Sequence, residues 1–282
     1  MNKVIIRENN MHRYIRILCI TFAMMLNITQ TSCLGFDDFF GFKKVIEKNN
    51  NVIYIGLIKI TGSIEAGQAE KVIQKLVTFS QDKRLKGILL VINSGGGEAG
   101  ISELIFREVK SLSKKLPIVT LVMGMCCSGA YAIAVGSHWI VAPSAATIGS
   151  VGVLYMMGRS KNSRISTKEG VTADIDYELI KAGKYKALHA YENTPLTDEE
   201  RTFIQAYVEA DYKLFCARVA HERNLSLNSV TDWADGKIFN GNQALEKRLI
   251  DEVGGYSDAI NALEKFIFGT EISIAYKINF IE

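Results

Sequence analysis

A chain of 282 residues with 48% hydrophobic and 22% charged content can bury a core sized for one large domain or two small ones. Its three prolines argue against long disordered tracts. The net charge of +3 is local: Lys3, Arg7, Arg13 and Arg16 stand against Glu8 within residues 1–33, so totals of 33 and 30 leave 29 basic and 29 acidic residues beyond. That neutral remainder argues against a nucleic-acid surface.

The early positive charge flanks an apolar run at 17–28, followed by small polar residues up to Ser32 and then Cys33. A basic stretch, a short apolar stretch and small residues describe an export signal. The run is shorter than the roughly 20 residues that span a bilayer comfortably. Residues 1–33 are therefore expected to be an export signal or membrane anchor. Cleavage near Cys33, retention and lipidation at Cys33 stay open, although Gln30 stands where a lipidation motif wants an aliphatic residue. Translation could also begin at Met11. Residues 34–51, polar and aromatic by turns, read as a linker. Residues 52–267 form the expected domain, and 268–282 a C-terminal tail.

Apolar runs of strand length follow at 52–60, 87–92, 118–123, 139–141 and 175–180, with helix-like stretches at 67–79 and 98–112. This alternation predicts an α/β domain around a largely parallel, buried sheet. Beyond residue 196 the pattern is helical. Thr197 and Glu200 have capping-box spacing and open a run with Phe203, Tyr207, Ala210, Leu214 and Val219 on one broad face. Further helices are expected at 241–247 and 256–266. The five cysteines, Cys19, Cys33, Cys126, Cys127 and Cys216, include one adjacent pair that is poorly placed to bond to itself. They read as free thiols, buried in the folded part, with no zinc-like spacing and so no metal.

Two glycine-rich turns follow strands, where sites in such folds gather. Ser128, in Cys127-Ser128-Gly129-Ala130-Tyr131, sits between a strand and an apolar helix. A nucleophile there gains from the helix N-terminus, and Gly129 lets a substrate approach; the plainer reading is a helix cap. Gly95-Gly96-Gly97 could present backbone donors to an oxyanion, or be only a tight turn. No Gly-Lys-Ser/Thr follows, so it is not a phosphate loop. The histidines supply no ordinary triad. His12 lies in the targeting segment, His138 near the far end of the serine's helix and too distant to reach Ser128, and His221 on a long helix with a surface character. His189 stays open as a base. A hydroxyl still needs activation, and a lysine neutralised by burial and nearby charge could supply it. Lys181, Lys184 and Lys186 cluster in Lys181-Ala182-Gly183-Lys184-Tyr185-Lys186, although such runs are usually solvated.

Several motifs occur together in order: Ile92-Asn93-Ser94-Gly95-Gly96-Gly97, the Ser128 motif, Ile148-Gly149-Ser150-Val151-Gly152-Val153 and the lysine cluster. Pro195-Leu196-Thr197-Asp198-Glu199-Glu200, Asp235-Gly236-Lys237-Ile238-Phe239 and Leu249 through Gly255 extend the series. This series resembles the signal peptide peptidase A family, bacterial membrane-associated proteases with a Ser–Lys dyad. The resemblance implies a Clp protease/crotonase-like spiral of ββα units with a helical C-terminal part. It assigns Ser128 as nucleophile and Lys186 as general base, with the backbone of Gly97, Gly96 and Ser128 forming the oxyanion hole. Substrate binding falls to Gly95, Gly129 and Ser150. It further implies no cofactor, peptide substrates including residual signal peptides, and an alkaline optimum. It places the enzyme at the inner membrane of the cell envelope, with its domain on the extracytoplasmic side. Subunits are expected to form a ring, with serine and lysine meeting across an interface. One departure stands out: Gly95 replaces the family's proline, which loosens the turn. The competing classes are a crotonase-like acyl-CoA enzyme and a proteolytically inert assembly factor.

Overall fold

In β3, Ile88, Leu90 and Ile92 join one apolar cluster while Leu89 and Val91 join another. This is the period of two expected of a strand buried on both faces. The computed structural model describes residues 52–156, 182–186, 188, 196–269 and 277–282, together with the backbone strands Val4–Ile6, Arg164–Ser166 and Thr172–Asp174. The expected strand at 175–180, the apolar run at 17–28, the linker 34–51, Lys181, His12 and His189 lie outside the described residues.

In chain order the elements are β1 (Val4–Ile6), β2 (Val52–Ile64), α1 (Ala66–Gln81), β3 (Leu85–Gly97), α2 (Ala99–Ser113), β4 (Ile118–Cys127), α3 (Gly129–Ala134), β5 (Trp139–Ala142) and β6 (Thr147–Gly149). Then come β7 (Arg164–Ser166), β8 (Thr172–Asp174), α4 (Asp198–Arg223), α5 (Val230–Trp233), β9 (Ile238–Phe239), α6 (Gly241–Glu246), β10 (Glu252–Val253), α7 (Tyr256–Phe268) and β11 (Lys277–Ile281). The main sheet runs β1-β11-β2-β3-β4-β5-β10. Near its end β4 leaves β5 and pairs with β6, which pairs in turn with β9. The β1/β11 and β6/β9 ladders are antiparallel and the others in this sheet parallel. Helices α1 to α4 cover one face, and α7 covers the other through Ala259, Ile260, Ala262 and Leu263. This is the expected α/β architecture.

One expectation changes. Residues 277–281, read as tail, form β11, which lies parallel to β2 with Ile278 and Phe280 buried. A five-residue strand of mixed character gains its burial from the β2 edge it covers and from α7, whose Ala259, Ile260 and Leu263 share a cluster with Ile278 and Phe280. The apolar face expected of α4 is buried only at its far end, through Val219. Phe215, Cys216, Val219 and Ala220 enter the core, whereas Phe203, Tyr207 and Leu214 remain 46, 55 and 62% exposed. The capping box forms as expected, with the Glu200 N–H donating to Thr197 Oγ1 at 3.2 Å and the Thr197 N–H to Glu200 Oε2 at 2.9 Å. The far end is anchored by Arg223, whose two terminal nitrogens donate to Asp251 at 2.9 Å each. A helix of 26 residues is about 39 Å long, so its N-terminal half extends well away from that anchor.

Candidate active site around Ser128

Strand β4 ends at Cys127 and α3 starts at Gly129, so Ser128 alone makes the reversal. Its backbone sits at φ 51° and ψ −126°, a region that costs an L-residue roughly 1–3 kcal/mol. Two bonds hold it there: the Ser128 N–H donates to the Gly149 carbonyl at 2.8 Å, and its carbonyl accepts from the Ala132 N–H at 2.9 Å. The hydroxyl does not cap α3, so the plain capping reading fails. A strained serine at a strand-to-helix turn, its hydroxyl without a hydrogen bond among the described residues, has the mechanics of a nucleophile elbow.

The glycine turn lies directly against it. Ile92 pairs with Val122 and Ser94 with Cys126, so Asn93 alone faces Met123, Gly124 and Met125 across the ladder. Asn93 Oδ1 fills the bulge by accepting the Met125 N–H at 3.2 Å. Ser94 Oγ donates to the Gly62 carbonyl at 2.6 Å and accepts from the Gly96 N–H at 3.1 Å. This buried hydroxyl supplies the turn with restraint that the missing proline does not. Gly96 has φ +106°, and a Cβ there would stand 2.8 Å from Ser128 Cβ and 2.9 Å from both the Cys127 carbonyl oxygen and the Gly129 nitrogen. A Cβ on Gly129 would stand 3.4 Å from the Gly97 nitrogen. Because Glu98 N–H donates to Ile64 at 3.0 Å, the parallel-ladder alternation turns the N–H of Gly97 away from β2.

Gly96, Gly97, Ser128 and Gly129 are thus brought together. Gly149 reaches Ser128 through its carbonyl, and Ser150, at φ 50°, is held by its N–H donating to the Lys237 carbonyl at 2.7 Å. Gly95 is exposed on the turn, with Met125 Sδ 3.4 Å from where its Cβ would be. One assignment is corrected: the Ser128 N–H is committed to Gly149 and is not a free oxyanion donor. The next N–H, that of Gly129, has no intrahelical acceptor, because the first bond of α3 is made by Ala132. The expectation missed this because the Ser128–Gly149 bond depends on β6 pairing with the end of β4, which local spacing does not reveal.

The lysines separate chemically. All described residues from Ala182 to Lys186 are exposed. Lys184 Nζ pairs with Glu199 Oε2, and the hydrogen bond to Glu199 raises its pKa, the wrong direction for a base. Lys186 makes no ion pair, and no hydrogen bond joins it to Ser128, among the described residues. Its backbone N–H closes a turn on the Gly183 carbonyl at 3.0 Å, where Gly183 has φ +93°. The burial expected around a basic lysine is therefore not provided within the protomer.

The described histidines and thiols stay outside the chemistry. His138 Nδ1 accepts the Ile118 N–H at 3.1 Å, which only an unprotonated Nδ1 can do, and its ring packs 5.4 Å from that of Phe266. Desolvation lowers the His138 pKa. A depressed histidine contributes stability that is complete above the unfolded value near 6.5 and is lost as pH falls through the folded value. Melting curves at pH 7 and pH 5 are therefore expected to show a loss that shrinks in His138→Asn. His221 is exposed beside Glu222. Cys126, Cys127 and Cys216 are free and buried, and burial raises all three thiols, keeping the neighbour of Ser128 protonated and inert. Among the described residues no cluster could hold a metal, and no helix is long and apolar enough to cross a membrane.

The family model of peptidase family S49 matches residues 110–267, and that of Clp protease matches residues 44–170. The second match covers the strand–helix succession from β2 to α3 and agrees with the Clp protease/crotonase-like architecture. A candidate protease of Methanocaldococcus jannaschii is 39% identical over 193 residues, 68% of this chain and 60% of that protein. A candidate signal peptide peptidase SppA of Enterococcus faecium is 35% identical over 229 residues, 79% of this chain and 63% of that protein. A chloroplastic serine protease SPPA of Arabidopsis thaliana is 32% identical over 192 residues, 68% of this chain and 28% of that protein. The chain thus spans less than two thirds of each of these relatives. The strained serine, the abutting glycine turn and these matches have one common reading: the chain belongs to peptidase family S49.

Proposed function

We propose that the protein is a serine endopeptidase in which Ser128 is the nucleophile and Lys186, supplied by a neighbouring copy, is the general base. The observation that carries the reading is the Ser128 turn, strained and with its hydroxyl uncommitted among the described residues, packed against Gly96 with the Gly97 and Gly129 nitrogens alongside. In the reaction, neutral Lys186 takes the Ser128 proton as Oγ attacks the scissile carbonyl. The Gly97 and Gly129 N–H groups receive the oxyanion. The ammonium then protonates the leaving amine, and water deacylates the enzyme with the same lysine as base.

The shared site is supported by where the lysine sits. Its turn rests on Glu199 and Phe203 near the start of α4, some 24 Å along the helix from Phe215, where α4 enters the core. Exposed Phe203, Tyr207 and Leu214, with Leu154 at 80% and Met156 at 85% exposure, form apolar surface that an adjoining subunit would cover. Such cover would desolvate the turn and favour a neutral amine. Apolar peptides, including residual signal peptides, are the proposed substrates, and the export-type pattern of the N-terminal sequence supports a site of action at the membrane, on the extracytoplasmic side.

The test is cleavage of an apolar peptide by the purified full chain. Lys186→Ala is expected to lose at least about a thousandfold in kcat, while Lys184→Ala and Lys181→Ala retain substantial activity. A fully active Lys186→Ala enzyme would end the base assignment. A serine-reactive probe that fails to label Ser128 in the parent would instead favour the inert assembly role.

A further inference from the structure

The turn that carries Lys186 is exposed throughout its described residues 182–186, yet it is docked at two points. Tyr185 Oη donates to Glu199 Oε1 at 2.9 Å, and Lys184 Nζ takes the other carboxylate oxygen. One helical turn on, Phe203 stacks with the Tyr185 ring, centroids 4.4 Å apart and planes 12° from parallel. Residues 199 and 203 are four apart on α4 and so share a face. The capping box at Thr197 fixes the start of that helix, and with it the backbone that carries Glu199. The Lys184 ammonium also lies 5.6 Å from the centroid of the Tyr185 ring, closing a three-membered cluster of carboxylate, phenol and amine. Lys186 is left outside this cluster.

We propose that Glu199 is a positioning residue for the general base. By holding both Lys184 and Tyr185 it withdraws the neighbouring amine from the site and fixes the direction in which the turn presents Lys186. The inference rests on the reading of Lys186 as base. An exposed ion pair contributes little to stability, so loss of Glu199 leaves the fold standing. Catalysis is far more sensitive, since a displacement of about 1 Å at a catalytic group costs on the order of a hundredfold. The expected signature is a fall in kcat without a matching fall in stability.

The experiment compares Glu199→Ala, Glu199→Gln and Tyr185→Phe in the full-length assembly, with steady-state cleavage of an apolar peptide, melting temperature and size-exclusion profile. Glu199→Ala is expected to lower kcat tenfold to a hundredfold with KM within about twofold. Its melting temperature and assembly size should match the parent. Glu199→Gln, which keeps an acceptor for Tyr185, and Tyr185→Phe, which keeps the ring stack, should fall between. Adding Lys184→Ala to Glu199→Ala should cost nothing further, because the loss of Glu199 has already removed the ion pair of Lys184. A parent-like kcat in Glu199→Ala beside a dead Lys186→Ala would overturn this inference alone. An active Lys186→Ala would overturn it together with the base assignment. Dissociation or a lowered melting temperature in Glu199→Ala would show an assembly role and overturn the positioning role.

Discussion

Gly96→Ala is expected to lose at least about a thousandfold in turnover and roughly 2–5 kcal/mol in stability. Both losses follow from one added methyl group. Gly96 has φ +106°, where an L side chain is strained whatever space surrounds it. Space is also absent: the new Cβ meets Ser128 Cβ at 2.8 Å and the Cys127 oxygen and Gly129 nitrogen at 2.9 Å. Two of those three neighbours are backbone, so relief requires moving the Ser128 turn itself. That turn is already strained and is held by the Gly149 carbonyl, and a shift would misplace the nucleophile and the Gly129 donor together. Gly95→Ala is the matched control. Its Cβ meets only Met125 Sδ at 3.4 Å, the end of a flexible side chain, and its activity should stay close to the parent's. Peptide cleavage and chemical denaturation of the two variants check the pair. Equal activity in both would mean that Gly96 does not seat the serine.

The contrast shows what the sequence could and could not reveal. Strands β2, β3 and β4 were legible because a strand buried on both faces must be apolar nearly throughout, and helices α1 and α2 because their stripes recur at helical spacing. The turn at Ser128 was legible as a place but not as a geometry. Its N–H looked free until β6 was seen to pair with the last residues of β4, a contact between segments some 20 residues apart. Lys184 and Lys186 were chemically equivalent as letters. Only the family resemblance singled out Lys186, and the chemical difference between them comes from Glu199, on another element, which takes Lys184 and leaves Lys186. The stripe on α4 was legible as one broad face but not as to its cover: Val219 is buried while Phe203, Tyr207 and Leu214 are exposed, because hydrophobic spacing records a face that avoids water without saying whether its cover comes from the same chain. Strand β11 failed for the opposite reason: it is short, and its alternation acquires meaning only beside β2.

Ser128→Ala and Lys186→Ala should each be inactive alone, and a mixed assembly of the two should recover about a quarter of parental activity. The quarter follows from the geometry of a ring with head-to-tail interfaces. In a random equal mixture, half the copies supply an intact Ser128 and half supply an intact Lys186. A given interface joins the right pair in about one case of four, provided the serine comes from one copy and the lysine from its neighbour. Were both residues drawn from a single copy, every site in the mixture would lack one of them, and no activity would return. The two variants must share one assembly from the start, so co-expression with two affinity tags and tandem purification is the measurement. Recovery near a quarter would assign the exposed face of Phe203, Tyr207 and Leu214 its cover, a second copy of the chain that carries Ser128 to Lys186. Absence of recovery from verified mixed assemblies would put the dyad within one copy. The turn at 182–186 would then have to leave its dock on Glu199 and Phe203 to reach Ser128, and Glu199→Ala would be expected to speed cleavage rather than slow it.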